Sequence, residues 1–99
     1  MNYGKGIRLA RAAKQISQKN LALQARLDPS YISMIEANRR SPSTPVLESI
    51  AGALQIPLYL LILLSSESAD LRGLTEKQAL SIGRDLLATL LAAQRGHNG

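Results

Sequence analysis

Polar and basic side chains are concentrated between Ser17 and Ser43, in a stretch that predicts two short helices joined by a tight connection. The second of these helices begins with small polar residues and ends beside Arg39 and Arg40. Small side chains at a helix start let the backbone approach a DNA groove, and neighbouring arginines can bind phosphates. The chemistry that this spacing predicts is recognition of nucleic acid, without the making or breaking of bonds.

Residues suited to catalysis or metal binding are few. His97 is the single histidine, and it lies in a Gly- and Asn-containing tail that cannot orient it as a base or as a metal ligand. The carboxylates show no paired arrangement for acid–base chemistry. The chain has no Cys, so disulfides and thiolate metal sites are excluded. We therefore expect no enzyme activity, no cofactor and no metal.

The positive charge is confined to the first two thirds of the chain. The net charge is +5, and residues 1–64 carry eight basic against three acidic side chains, whereas residues 65–99 carry four of each. A basic domain with a neutral appendage suits a polyanionic partner. The alternative is a basic surface that serves only solubility, and Lys5, Arg8 and Lys14 are expected to form a solvated face.

The apolar composition favours helices throughout the 99 residues. Nearly all apolar residues are Leu, Ile and Ala, and the chain lacks Phe and Trp. Helical spacing in the first helix places Ile7, Leu9, Ala10 and Ala13 inward. The sequence predicts an all-α protein, with five helices at about residues 6–14, 18–25, 29–37, 44–54 and 57–64 and an additional C-terminal helix.

Helix start signals fix three of these elements. Ser17 is a good N-cap for the second helix, and Asp28 followed by Pro29 is the clearest start signal in the chain. Ser43 or Thr44 opens the fourth helix.

The apolar run over 56–64 is only nine residues long, where a membrane span needs about 20, so it predicts a buried helix. The N-terminus shows no signal peptide, so a cytoplasmic location is expected.

The C-terminal third has a different organisation. Residues 1–64 are expected to form the DNA-binding domain, 65–74 a polar linker, 75–95 a C-terminal helix and 96–99 a tail. Thr75 and Gln78 form a capping-box pattern. The helix carries more leucines than a solvated helix should, and they either pack on their own domain or form a dimer contact. The residues assigned to dimerisation are Leu80, Leu86, Leu87, Leu90 and Leu91.

Several short motifs in the first two thirds resemble the phage repressor and Cro-like helix-turn-helix family. They are Ser17-Gln18, Leu21-Ala22, the run at 30–36, the run at 39–43, Ile50-Ala51 and Ala53-Leu54. The resemblance covers about residues 6–64. It implies a five-helix, repressor-like DNA-binding domain that acts on a paired site as a dimer, usually in a bacterial or phage regulator.

The pattern and the resemblance together assign candidate site residues. Base-facing positions are Pro29, Ser30, Tyr31, Ser33 and Met34, and phosphate-binding positions are Gln18, Lys19, Asn38, Arg39 and Arg40. Tyr31 has two interpretations, as an aromatic residue at the core edge or as a phosphate ligand. The resemblance also implies a buried structural ion pair between Arg11 and Glu36.

Two departures from the family pattern affect the interpretation. Arg26 and Asn38 stand where the family commonly has Gly. Arg26 is expected either to accept a positive φ at some strain or to give the turn a different shape, and it has the alternative of a surface charge with no role. Asn38 is the gentler change, because Asn tolerates the left-handed conformation expected after the third helix. The third helix also has no Arg, Asn or Gln that could make a bidentate base contact. Sequence reading is therefore expected to depend on DNA shape, on water or on the loop arginines.

The function predicted from the sequence is binding to double-stranded DNA as a homodimeric transcriptional regulator on a near-palindromic operator. The alternative is an antitoxin or adaptor that holds a partner protein through the C-terminal helix, with DNA binding secondary. The neutral, leucine-rich residues 65–99 permit this alternative.

Overall fold

Five helices follow one another between residues 3 and 65 in the computed structural model, which describes residues 1–78, 80–85, 88 and 91. Helical conformation recurs from Glu76 onward, and no β-strand occurs among these described residues. The predicted all-α class is confirmed. The five helices are α1 Tyr3–Lys14, α2 Gln18–Ala25, α3 Pro29–Glu36, α4 Thr44–Leu54 and α5 Leu58–Ser65.

The predicted N-caps position α2, α3 and α4. Ser17 Oγ accepts a hydrogen bond from the amide three residues on at 3.0 Å, and the Ser43 hydroxyl does the same at 3.4 Å. The Asp28 carboxylate accepts from the amide two residues on at 2.8 Å, with Pro29 at the first helical position. The Thr75–Gln78 capping box also forms, through bonds of 2.9 and 3.1 Å.

Helix α1 is longer than the sequence predicted and exposes two of its four expected core residues. It begins at Tyr3 because the Asn2 side chain accepts a hydrogen bond from the Lys5 amide at 2.9 Å. Ile7 is fully buried, as expected. Leu9 is 48% exposed and Ala13 is also exposed, because neither lies on the buried side of α1, which includes Ile7 and Ala10.

The core lies where all five helices meet. Helix α1 packs against α5 and α3, while α2 packs against α3 and α4. None of the described helices alone combines the length and hydropathy needed to cross a membrane, and α4 with α5 reaches both only as a pair bent by 104°. The largest fully buried apolar side chains are Ile7, Leu21, Ile32, Ile35, Ile50, Leu54 and Leu61.

Arg26 and Asn38, the two departures from glycine, both adopt the left-handed conformation, which decides between the two outcomes expected for Arg26. Arg26 has φ of 59° in the turn between α2 and α3, and Asn38 has φ of 60° after α3. The left-handed region costs a residue with a Cβ roughly 1–2 kcal/mol, and less for Asn, whose side chain tolerates it. The chain therefore accepts strain at Arg26 to set the angle between the two helices of the motif.

Helices α1 and α5 are in close contact at Gly6. Ser65, which the sequence analysis placed in the linker, ends α5 and is fully buried, with its hydroxyl donating to the Leu61 carbonyl at 2.8 Å. A Cβ on Gly6 would overlap the Ser65 hydroxyl and lie 2.9 Å from its main-chain nitrogen. The Asn2 amide also donates to the Ser65 carbonyl, at 2.6 Å. This close contact holds the start of α1 on the end of α5.

We expect the same substitution to have opposite effects at two glycines. Gly6→Ala should lower the free energy of unfolding by about 1–3 kcal/mol, because the added methyl group collides with Ser65. Gly52→Ala should raise it by about 1 kcal/mol, since Gly52 lies on the exposed side of α4 with nothing within 4 Å of the added atom. Urea denaturation followed by circular dichroism measures both. Equal effects of the two substitutions would show that α1 and α5 are not in close contact.

Candidate nucleic-acid interface

Helix α3 has one buried and one exposed face. Ile32 and Ile35 are fully buried against the core. On the opposite face Pro29, Ser30 and Ser33 are exposed. Met34 is half-buried, so it is less available than the sequence analysis supposed. The first two turns of α3 thus present two small polar side chains and a proline to their surroundings.

Ser30 is held by the residue that caps its own helix. Its hydroxyl donates to Asp28 Oδ1 at 2.6 Å, and its amide donates to the same oxygen at 2.8 Å. The hydroxyl bond and then the amide bond hold the pKa of Asp28 below its ordinary value. This cap therefore stabilises the fold above the unfolded-state pKa of Asp28, and its contribution is lost as the pH falls through the lower, folded-state value.

Tyr31 lies at the edge of the core and contacts a loop arginine. Its side chain is half-buried and packs against the core residues. The guanidinium carbon of Arg40 lies 5.3 Å from the centre of its ring, within the range of a cation–π contact. Tyr31 therefore packs on the core and supports Arg40, and a phosphate contact through its hydroxyl stays a prediction.

The loop after α3 carries the exposed basic residues that the sequence analysis singled out. Asn38, Arg39 and Arg40 are all exposed. The Arg39 amide donates to the Met34 carbonyl at 2.8 Å, which closes the last turn of α3. Lys19, in the first turn of α2, is exposed as well. Basic side chains thus flank both helices of the motif.

A buried carboxylate joins α1, α2 and α3. Glu36, at the end of α3, is 3% exposed, and its Oε2 accepts from Arg11 Nε at 2.8 Å. Its Oε1 accepts from Arg11 Nη2 at 3.0 Å and from Gln18 Nε2 at 3.1 Å. The hydrogen bonds that Arg11 donates to Glu36 are the main reason that the pKa of Arg11 lies above its ordinary value. The network fixes the orientation of α3 relative to the start of α2.

Two contacts of this network, and one between α1 and the end of α5, were missed by sequence reasoning. Gln18, assigned to phosphate, uses part of its amide group on Glu36. Arg8, assigned to a solvated face, donates to the main-chain oxygen of Glu36. Lys5, assigned to the same face, donates to the Ser66 carbonyl at 3.1 Å. The three-residue spacing of Arg8 and Arg11 places them on one face of α1, and this spacing could have indicated a shared partner.

The leucines assigned to dimerisation are only partly described. Leu80 is 59% exposed and Leu91 is 44% exposed, and both are in helical conformation. Leu86, Leu87 and Leu90 lie outside the described residues, as does His97.

Comparison with known proteins places this arrangement in a family. The helix-turn-helix family matches residues 7–61, which include all of α2, α3 and α4. The chain is 35% identical over 81 residues to the immunity repressor protein of Bacillus phage phi105, and the match covers 78% of the chain and 56% of that repressor. The chain thus spans little more than half the length of this relative.

Two further matches cover most of the related protein. A Neisseria hypothetical transcription factor from Neisseria meningitidis serogroup B is 33% identical over 81 residues, covering 75% of the chain and 76% of that protein. The restriction-modification controller protein C.AhdI from Aeromonas hydrophila superposes with a TM-score of 0.59 and 35% identity, covering 61% of the chain and 91% of the controller. The chain belongs to the helix-turn-helix family, as the motifs between Ser17 and Leu54 predicted.

Proposed function

We propose that the chain is a transcriptional regulator that binds double-stranded DNA as a homodimer, with α3 in the major groove. The observation that carries this proposal is the exposed polar face of α3, flanked by exposed Arg39 and Arg40, in a helix-turn-helix chain similar to a phage repressor. Two copies of residues 1–64 would read half-sites about 34–36 Å apart on a near-palindromic operator. Such a regulator would act in the bacterial cytoplasm, encoded by the bacterium or by a phage.

The phosphate contacts in this proposal come from both sides of α3. Arg39 and Arg40 would contact one stretch of backbone, with the exposed Asn38 amide beside them. Lys19 and the free amides at the start of α2 would contact another. Gln18 would use the second hydrogen of its amide nitrogen, because the first is bonded to Glu36.

The base contacts in this proposal come from the first turns of α3. Pro29, Ser30 and Ser33 are exposed, and half-buried Met34 offers an apolar contact, for instance to a thymine methyl group. Tyr31 is the fifth residue that the sequence predicts to face bases. None of these side chains makes a bidentate contact with a base, so phosphate binding would supply most of the affinity.

A salt titration tests the proposal. We expect the full chain to bind labelled duplexes of random sequence at low salt. The logarithm of the binding constant should fall linearly with the logarithm of the salt concentration. Four or more phosphate contacts would give a slope of about −4 or steeper. Fluorescence anisotropy between about 50 and 400 mM salt measures this slope. No binding at low salt, or a flat dependence, would contradict the proposed function.

Dimerisation would use the leucine face of the C-terminal helix. Leu80 and Leu91 are eleven residues apart, which places them about 20° apart around a helix and therefore on one face. We expect Leu80→Glu with Leu91→Glu to sediment as a monomer, whereas Ser81→Glu, about 100° away around the helix, should leave the dimer intact. An unchanged sedimentation coefficient in the double variant would contradict this interface.

The alternative function is that of an antitoxin or adaptor module that holds a partner protein through the C-terminal helix. One observation favours it, because large apolar side chains are exposed after α5 at Leu71, Leu74, Leu80 and Leu91. The two functions differ in the salt titration. An adaptor would bind duplexes weakly or not at all and would co-purify with a second protein in fixed stoichiometry.

A further inference from the structure

We propose that Asp28 makes Ser30 a hydrogen-bond acceptor toward DNA, so that Ser30 selects adenine or cytosine over guanine and thymine at one position of each half-site. This inference rests on the proposed function, since it concerns the base-facing surface of α3. It assigns a sequence preference to a residue type that ordinarily discriminates poorly between bases.

The direction of the Ser30–Asp28 bond follows from the chemistry of its two groups. The oxygen atoms are 2.6 Å apart, the distance of a charge-assisted hydrogen bond. An ionised carboxylate can only accept, so the proton between the two atoms belongs to the serine hydroxyl. A carboxyl group with the ordinary pKa of Asp is already ionised at neutral pH, and the two bonds from Ser30 lower that pKa further. Ser30 has therefore used its donor within the protein.

The geometry at the helix start fixes this arrangement. Pro29 has no amide hydrogen, so the Ser30 amide is the first donor of α3, and it bonds to the same Asp28 oxygen at 2.8 Å. The amide bond holds this oxygen beside the helix start, and the hydroxyl bond directs the Ser30 side chain toward it. The residue is nevertheless exposed, so the remaining lone pairs of its hydroxyl oxygen are accessible to a ligand.

The major groove distinguishes bases by the donors and acceptors on their edges. Adenine presents its N6 amino group and cytosine its N4 amino group, whereas guanine presents only acceptors and thymine presents an acceptor and a methyl group. A serine that can only accept forms a hydrogen bond with an amino group. Against guanine or thymine its oxygen faces another acceptor, and the contact is lost.

Ser33 is a matched control within the same helix. It is exposed one turn further along α3, and no described residue accepts a hydrogen bond from its hydroxyl. Its hydroxyl can rotate to donate or to accept, so it should tolerate every base. Two exposed serines three residues apart thus differ in the single feature on which the proposal rests.

Selection of bound duplexes from a random pool by the full chain tests the preference. The wild type should enrich adenine or cytosine at one position of the half-site, by roughly three- to tenfold over guanine and thymine, the range of a single hydrogen bond. Ser30→Ala should lose this preference while keeping the rest of the motif, and Ser33→Ala should keep it. A motif that is the same for wild type and Ser30→Ala would overturn the inference.

Substitutions of Asp28 test whether the preference depends on the bond between Asp28 and Ser30 or only on contact between Ser30 and the base. Asp28→Asn retains an oxygen that accepts from Ser30, so the preference should persist, with somewhat tighter binding to all duplexes because a negative charge is removed. Asp28→Gly keeps a tolerated N-cap residue but frees the hydroxyl to donate, so guanine and thymine should become as acceptable as adenine. A preference that survives Asp28→Gly would show that Asp28 does not set the polarity of Ser30.

Modified bases test the polarity directly in the selected duplex. If adenine is selected, replacing it with purine, which lacks the N6 amino group, should weaken binding roughly three- to tenfold, whereas 7-deazaadenine should bind unchanged. If cytosine is selected, pyrimidin-2-one takes the place of purine. Tight binding of the purine duplex would overturn the inference and leave the proposed function standing. Failure of the wild type to bind any duplex would overturn the proposed function itself.

Discussion

Arg11→Met should lower the free energy of unfolding by about 3–5 kcal/mol, because it leaves the Glu36 carboxylate buried without its cationic partner. Glu36 is only 3% exposed, and two of the three side-chain hydrogen bonds to its carboxylate come from Arg11. The remaining one comes from the neutral amide of Gln18. A loss of this size is a large share of the stability of a small domain, which is about 5–15 kcal/mol.

The matched control removes both charges. Arg11→Met with Glu36→Met replaces the ion pair with apolar side chains of similar volume, and the double variant should be close to wild type in stability. Urea denaturation of wild type, both single variants and the double variant gives the coupling energy of the pair. If Arg11→Met alone costs less than about 1 kcal/mol, as an exposed ion pair would, the network does not hold α3 in place.

The same network separates residues that shape the interface from residues that contact DNA. Glu36 accepts from Arg11 and Gln18 through its side chain and from Arg8 through its main-chain oxygen. It therefore fixes the end of α3 relative to α1 and the start of α2. A carboxylate at this surface would repel phosphates if it were exposed, and its burial removes it from the face proposed to meet DNA.

Local signals in the sequence were sufficient for most helix boundaries. Ser17, Asp28 and Ser43 cap α2, α3 and α4 through bonds to amides only two or three residues away, so their effect can be predicted from neighbouring residues alone. The left-handed conformation of Asn38 was predicted from its position after α3, and a positive φ at Arg26 was one of two outcomes expected where the family commonly has Gly. All five helices from α1 to α5 accordingly end within one residue of the predicted position, and all but α1 begin within one residue of it.

Contacts between distant residues could not be predicted in this way. Gly6 and Ser65 are far apart in sequence, and no local pattern indicates that serine ends α5 instead of starting a linker. Arginine is a residue type that is usually exposed to solvent, so the sequence alone does not indicate a partner for Arg8. Its partner, the main-chain oxygen of Glu36, becomes apparent only when α1 packs on α3. In the candidate site, the types of the residues were predictable, while the hydrogen bond that gives Ser30 its polarity depends on side-chain geometry.

Arg39→Ala with Arg40→Ala should weaken DNA binding roughly 50- to 100-fold at about 0.1 M salt and reduce the slope of affinity against salt by about two. Each phosphate contact contributes about 0.9 to that slope, so the loss grows as salt is lowered and vanishes near 1 M. The effect should be equal for the selected operator and for random duplexes, because phosphates carry no sequence information.

A charge-matched control distinguishes phosphate contact from general attraction. Arg72→Ala with Arg84→Ala removes two positive charges that are exposed outside the five-helix domain. Its salt slope should remain within experimental error of wild type, since long-range attraction is screened beyond about 10 Å at 0.1 M salt. If both double variants lose affinity equally, net charge governs binding and the loop arginines have no specific role.

The contribution of Arg40 to DNA binding is expected to depend on Tyr31. The guanidinium lies 5.3 Å from the ring centre, so the ring holds Arg40 in place before DNA arrives. Tyr31→Leu should therefore weaken binding about two- to fivefold in the wild-type background, the worth of an exposed cation–π contact, and should have no effect once Arg40 is alanine. Tyr31→Phe keeps the ring and removes the hydroxyl, so it should bind like wild type. A loss with phenylalanine equal to that with leucine would assign Tyr31 to the phosphate backbone, and Arg40 would then act without it.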